Sequence, residues 1–109
     1  MVNKYRRGRI AEKKAADWLK KLGFRNIRRS KGSRGPYDIY AVSPSGIKTY
    51  VQVKSYTARL KREERRKLRD VARRRRGFAA YIHYNGRGRL KMVPLGNWGG
   101  KGRKKRSGR

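Results

Sequence analysis

Acidic side chains are rare in this chain, so the positions they occupy are informative. The 109 residues include only six Asp and Glu against 35 Lys and Arg. Asp38 follows a loop rich in glycine, and Gln52 and Lys54 come fourteen and sixteen positions later. Carboxylate and amide oxygens on one surface can hold a hard cation such as Mg²⁺. Such an ion assists phosphodiester cleavage, because it lowers the pKa of water and neutralises developing charge.

Two neighbouring strands are predicted to position these residues. The alternating and β-branched segments 37–42 and 47–55 are typical of strands, and the turn between them predicts a hairpin. Because side chains alternate between the two faces of a strand, Gln52 and Lys54 share one face. Asp38 lies on the partner strand and can reach that face. The pattern therefore predicts one polar site on the hairpin.

Glu12 is a further candidate, at the edge of an apolar stripe in a helix predicted over residues 7–22. It lies about 20° around the helical wheel from Leu19 and can look toward the sheet. Gly23 is expected to end this helix. The stripe consists of Ala11, Ala15, Trp18, Leu19 and Leu22.

The remaining acidic residues are expected to have ordinary roles. Asp17 should be exposed to solvent. Glu63, Glu64 and Asp70 fall in a second predicted helix, over residues 59–76, where arginines three or four positions away are the expected partners. That helix has a thin apolar face, Leu60, Leu68, Val71 and Ala72, and Gly77 is expected to end it.

Strands over residues 24–29, 78–84 and 89–95 complete an order of α-β-β-β-α-β-β. This order predicts an α/β fold in which a central sheet is flanked by helices. We expect one domain over residues 1–95. Residues 96–109 consist mainly of glycine and cationic residues, which predicts a disordered basic tail.

The net charge of +29 indicates the class of partner, because so basic a chain needs a polyanion. Arginine is the commoner cation, and its planar fork suits phosphate oxygens. Nucleic acid is the expected partner, and an anionic membrane surface is the weaker alternative. The chain has no cysteine and no apolar run of bilayer length, so we expect a cytoplasmic protein.

The residues Pro36, Asp38, Gln52 and Lys54 resemble the motif of the PD-(D/E)xK nuclease superfamily. The segment from Gly8 to Glu12 resembles the G-xxx-E helix of archaeal Holliday junction resolvases. The order of elements is also similar, over about residues 4–95. The resemblance implies a restriction-endonuclease-like core with a central mixed sheet, and a function in DNA recombination and repair. Independently of the resemblance, a small, charged and cysteine-free chain would suit a hyperthermophile or its virus, and so an archaeal or viral source.

The resemblance implies a role for each matching residue. Asp38 would be the central metal ligand, Glu12 would bind the metal directly or through water, and Lys54 would be the catalytic lysine. Gln52 would complete the ligands of Mg²⁺, with Mn²⁺ as an alternative ion. The family acts as symmetric homodimers on four-way junctions. The expected nucleic-acid contacts are Ser30, Lys31, Ser33, Arg34, Arg6, Arg7, Arg62 and Arg66.

One departure from the family motif leaves two functions open. The motif has Asp or Glu where this chain has Gln52, and a neutral amide attracts Mg²⁺ less than a carboxylate does. Mrr-like restriction enzymes resemble this chain in carrying Q-x-K there. The chain is therefore predicted to be either a working endonuclease or a weak or inactive relative that only binds nucleic acid. For Asp38 alone, capping a turn or pairing with Arg34 is the competing interpretation.

Overall fold

The computed structural model describes residues 4–30 and 35–97, which form two helices and five strands. Their order is the predicted α-β-β-β-α-β-β. The elements are α1 (Lys4–Lys21), β1 (Arg25–Arg29), β2 (Ile39–Val42), β3 (Lys48–Ser55), α2 (Arg62–Arg74), β4 (Phe78–Tyr84) and β5 (Leu90–Asn97). No helix in these ranges is long and apolar enough to cross a membrane.

The strands form one mixed sheet in the order β1-β2-β3-β4-β5. Neighbouring strands are antiparallel except β3 and β4, which run parallel. A parallel pair needs a long crossover, and α2 supplies it. The strand that carries Gln52 and Lys54 is therefore the central strand of the sheet, with a neighbour on each side.

The two helices cover opposite faces of the sheet. The stripe of α1, Ala11, Ala15 and Leu19, is buried against a cluster that includes Val51 and Ile82. The face of α2, Leu68, Val71 and Ala72, is buried in a second cluster with Tyr50 and Ala79. The helical periodicity of the apolar residues thus predicted both buried faces, although α2 has few apolar residues.

The predicted hairpin is present, and its register places Asp38 beside β3. Ile39 pairs with Val51, and the backbone N–H of Asp38 donates to the carbonyl oxygen of Val51 at 2.8 Å. On the other side, the N–H of Ser30 donates to the carbonyl oxygen of Asp38 at 2.8 Å. Asp38 is thereby held between two strands, immediately before β2 begins.

The ends of α2 differ from the prediction. The helix begins at Arg62, so Leu60 lies before it and is not part of its apolar face. The left-handed residue after the helix is Arg76, with φ of 55°, and not Gly77. Gly77 is needed for close approach, since a Cβ there would lie 2.7 Å from the carbonyl oxygen of Lys48.

The ends of the other predicted segments also shift. The first helix begins at Lys4, and Gly23 follows its end with a left-handed φ of 97°, as expected. Leu22 lies beyond this helix and is exposed, so it does not extend the buried stripe. The last strand reaches Asn97, which the sequence placed in the tail. Residues 98–109 lie outside the described part, and the domain boundary stays a prediction.

Candidate active site

Asp38 is the most buried charged side chain in the described residues, with 6% of its surface exposed. Its Oδ2 accepts the backbone N–H of Val53 at 2.9 Å. Within residues 4–30 and 35–97, no hydrogen bond or ion pair reaches Oδ1. Burial raises the pKa of Asp38 above its ordinary value, although the bond from Val53 and the charge of Lys54 oppose this. The result is a desolvated carboxyl group with one oxygen available.

Glu12 lies close to Asp38, because α1 brings it to the same end of the sheet. Its side chain is 12% exposed, and Arg29 on β1 lies 3.7 Å from Oε1. Burial raises the pKa of Glu12, the charge of Asp38 raises it further, and Arg29 opposes both. A cation between these two carboxyl groups would stabilise the ionised form of each.

Lys54 and Gln52 lie on β3 on the polar face that the alternation predicted. Both are half-buried and line the same cavity as Asp38. The Nζ of Lys54 forms an ion pair with Oε2 of Glu64 at 2.9 Å. This places a fixed cationic donor at the wall of the cavity.

Glu64 is a site residue that the sequence analysis missed. It was expected to pair with an arginine of its own helix, and it instead pairs with Lys54 across the cavity. Its Oε1 accepts the backbone N–H of Lys61 at 2.9 Å, which anchors it to the start of α2. These two bonds lower the pKa of Glu64, although burial alone would raise it.

The local pairing is confirmed for the other two acids of α2. Arg66 lies 3.9 Å from Glu63, and Arg73 lies 3.0 Å from Asp70. A capping pattern could have drawn attention to Glu64, since the third residue of a helix often accepts the N-cap N–H. Because Lys61 is not a typical cap residue, the pattern was hidden.

One cavity of about 1050 Å³ contains the four predicted catalytic residues. We call it the site cavity; it is lined by Glu12, Pro36, Asp38, Gln52, Lys54 and Glu64, among others. Lys67 and Arg74 of α2 also line it, and the sequence analysis had not singled them out. The hairpin, α1 and α2 each contribute to its wall.

The predicted nucleic-acid contacts are placed only in part. Arg62 and Arg66 lie on the exposed side of α2 and do not line the site cavity. Ser30 lies beside Asp38, at the end of β1. Arg6 and Arg7 belong to the first turns of α1. Lys31, Ser33 and Arg34 lie outside the described residues.

A second cavity, of about 590 Å³, lies over β1, β2 and the start of β3, beside the part of the sheet that α2 covers. Its lining includes Arg28, Lys48 and Arg75, with the half-buried rings of Tyr37 and Tyr40. We call these five residues the basic groove. No acidic residue is among the described residues that line this cavity.

The donors in the site cavity fit a hard divalent cation that keeps several waters. In the described part of the chain, no three Asp, Glu, His or Cys side chains are grouped to hold a metal ion. The carboxylates of Asp38 and Glu12 with the amide of Gln52 form a smaller, all-oxygen set. Mg²⁺ is commonly bound by one or two carboxylates and retains water in its other positions.

Comparison with known proteins places the chain in a family. No curated protein sequence matches it. The fold is similar to the structure of Hjc, a Holliday junction resolvase from the archaeal hyperthermophile Archaeoglobus fulgidus. The TM-score is 0.67 at 23% identity, over 81% of this chain and 72% of that one. The Mrr_cat family model, described as restriction endonuclease, matches residues 7–87. This range spans most of the chain and includes the site residues, so the protein belongs to the Mrr_cat restriction endonuclease family and has a PD-(D/E)xK nuclease fold.

Proposed function

We propose that this protein is a metal-dependent DNA endonuclease that cleaves four-way junctions as a homodimer. The observation that carries the proposal is the buried carboxyl group of Asp38. It keeps one oxygen without a partner in the described structure, beside the carboxyl group of Glu12. An unpaired buried carboxylate destabilises a fold, so its position among polar groups is best explained by a cationic ligand.

Asp38, Glu12 and the amide oxygen of Gln52 would hold the cation, Mg²⁺ or Mn²⁺. When bound, it would lower the pKa of a water molecule and neutralise charge that develops on the phosphate. The N–H of Val53 orients the Asp38 carboxyl group, and Arg29 orients that of Glu12. The protein therefore supplies a preformed set of oxygen ligands in the site cavity.

Lys54 is the cationic side chain that would lie beside the reacting phosphate. Its Nζ lies at the cavity wall, and the half-buried setting strengthens its electrostatic effect relative to bulk water. A donor aimed at the oxygen where charge develops stabilises the transition state more than the ground state. We therefore propose that Lys54 stabilises the negative charge that develops on the phosphate oxygens during cleavage.

The basic groove supports a DNA substrate that extends beyond one phosphate. Arg28, Lys48 and Arg75 complement the charge of a phosphodiester backbone, and Tyr37 and Tyr40 offer aromatic faces to sugars or bases. Tyr37 directly precedes Asp38 in the chain, so the groove lies near this site residue. The similarity in fold to a Holliday junction resolvase supports a branched substrate over a linear one.

Cleavage of labelled DNA tests this function. The protein is incubated with a four-way junction or a linear duplex, in Mg²⁺, in Mn²⁺ or in EDTA. We expect metal-dependent cuts in the junction that disappear in Asp38→Ala and persist in the control Asp17→Ala. Asp17 is exposed, pairs with Lys13 at 3.2 Å and does not line the site cavity. Tight binding without a cut in either metal would contradict the proposal, and light scattering tests the homodimer.

A second candidate function is binding without cleavage, and the neutral side chain of Gln52 is the observation that favours it. If the metal site were too weak for cleavage, the basic groove and the cationic residues of α2 would still bind DNA. The same assay separates the two functions when Mn²⁺ is raised to millimolar concentration. Junction binding by the wild type with no cleavage at this Mn²⁺ concentration would establish the second function.

A further inference from the structure

We propose that Glu64 is a positioning residue, which holds Lys54 away from Asp38 and so leaves the Asp38 carboxylate open to the cation. This inference rests on the function proposed above. It assigns to the start of α2 a role in the metal site, although α2 contributes no predicted ligand. The three side chains line one cavity.

Glu64 is itself fixed at both of its carboxylate oxygens. Oε1 accepts the N–H of Lys61 at 2.9 Å, and Oε2 receives Nζ of Lys54 at 2.9 Å. The side chains of the pair are 21% and 33% exposed, so salt screens this pair less than it would a surface pair. Since both oxygens are used, Glu64 acts on the site through Lys54 and is not itself a free ligand.

Lys54 has a flexible stem and would otherwise have another carboxylate to approach. The nearby charge of Lys54 already lowers the pKa of Asp38, but no ion pair forms between them in the described structure. The other carboxylate, Glu12, already has Arg29 beside it. If Glu64 lost its charge, the unpartnered oxygen of Asp38 would be an available acceptor for Nζ.

Gln52 makes this arrangement necessary. A carboxylate at position 52 would lie on the same face of β3 as Lys54 and could balance its charge from within the strand. The amide of Gln52 carries no charge, so the counter-charge comes from another element. Glu64 is the acid that contacts Lys54, and it also raises the pKa of Asp38 through its charge.

The test measures metal binding without cleavage. Mn²⁺ is titrated calorimetrically into metal-free wild type, Glu64→Gln and the control Glu63→Gln. Gln at position 64 can still accept the N–H of Lys61, so the start of α2 is preserved. We expect Glu64→Gln to weaken Mn²⁺ binding by about tenfold or more, as loss of outer-shell partners does. Glu63→Gln should bind as wild type does, because Glu63 pairs only with exposed Arg66.

A second substitution distinguishes a lost contact from a misplaced lysine. In the double variant Glu64→Gln with Lys54→Met, Lys54 can no longer occupy Asp38, so Mn²⁺ affinity should return to the wild-type value. A merely structural role of Glu64 would not give this rescue. Glu64→Asp, whose side chain is shorter, should weaken binding like Glu64→Gln and serves if that variant does not fold.

The outcomes separate this inference from the proposed function. If wild type binds Mn²⁺ and cleaves junctions while Glu64→Gln binds Mn²⁺ equally well, the inference is wrong and the proposed function stands. Failure of Lys54→Met to restore binding in the Glu64→Gln background also overturns it. If wild type neither binds Mn²⁺ nor cleaves, both are wrong.

Discussion

Replacement of Asp38 by Asn should abolish cleavage and yet stabilise the metal-free fold. Asn retains an oxygen for the N–H of Val53, a bond that weakens by about 1 kcal/mol when its acceptor loses charge. Against this, the substitution removes a desolvated charge at a site only 6% exposed, and also its repulsion with Glu12. A substitution that removes a destabilising feature of an active site commonly raises the free energy of unfolding by about 0.5–2 kcal/mol.

The pH dependence of this gain has a definite sign. Because folding raises the pKa of Asp38, the folded state holds this proton more tightly than the unfolded state. The stability that this proton provides is complete below the ordinary Asp pKa and is lost as pH rises through the folded-state pKa. The wild type should therefore have a lower free energy of unfolding than Asp38→Asn near pH 7. This difference should narrow as pH falls toward the ordinary Asp pKa of 3.8.

Thermal unfolding in EDTA, followed by circular dichroism at several pH values, measures the difference. We expect Asp38→Asn to melt a few degrees higher at pH 7, since about 1 kcal/mol corresponds to roughly 4–8 °C for a domain of this size. Asp17→Asn, at an exposed carboxylate, is the matched control. A lower melting temperature for Asp38→Asn at pH 7, or a gap that widens toward acid, would refute the reasoning.

Three further predictions concern the metal, the packing and the DNA. Gln52→Glu should tighten Mn²⁺ binding in calorimetry, and unchanged affinity would remove Gln52 from the ligand set. Gly77→Ala should lower the free energy of unfolding in urea by about 1–3 kcal/mol, because its Cβ meets the backbone of Lys48 and the ring of Tyr50; Gly8→Ala, where nothing lies within 4 Å, is the control that should not destabilise. Junction affinity should fall linearly with salt on logarithmic axes, and Lys48→Ala should reduce that slope by about one, as fluorescence anisotropy can show.

The sequence predicted the elements of the fold because its apolar residues keep a strict period. Ala11, Ala15 and Leu19 of the predicted α1 stripe are buried, as are Val51 and Val53 of β3, whereas Leu22 at the end of the stripe is exposed. The first and last residues of α2 were less predictable. In the segment 59–76, 11 of the 18 residues are Lys or Arg, and these occur both inside the helix and beyond its ends. Its start depends on a contact between Lys61 and Glu64, which composition does not indicate.

The candidate site was predictable where it follows from strand geometry. Asp38, Gln52 and Lys54 share one face of the hairpin, and the helical wheel brings Glu12 toward them. Glu64 was missed because arginines of its own helix were nearer in sequence, whereas its partner Lys54 lies ten residues earlier on another element. Which face of a charged helix meets a sheet is decided by tertiary packing, and charge pairing within the helix does not reveal it.

The tight turn at residues 43–46 lies at the opposite end of the hairpin from the site cavity. There the N–H of Gly46 donates to Ser43 at 2.8 Å, and the turn sets the register that pairs Ile39 with Val51. Because a slip of one residue moves side chains to the other face, this register also decides whether Asp38 meets Val53. The number of residues in the turn must therefore be conserved, and so must Gly46, because its left-handed φ of 90° is strained for any residue with a side chain.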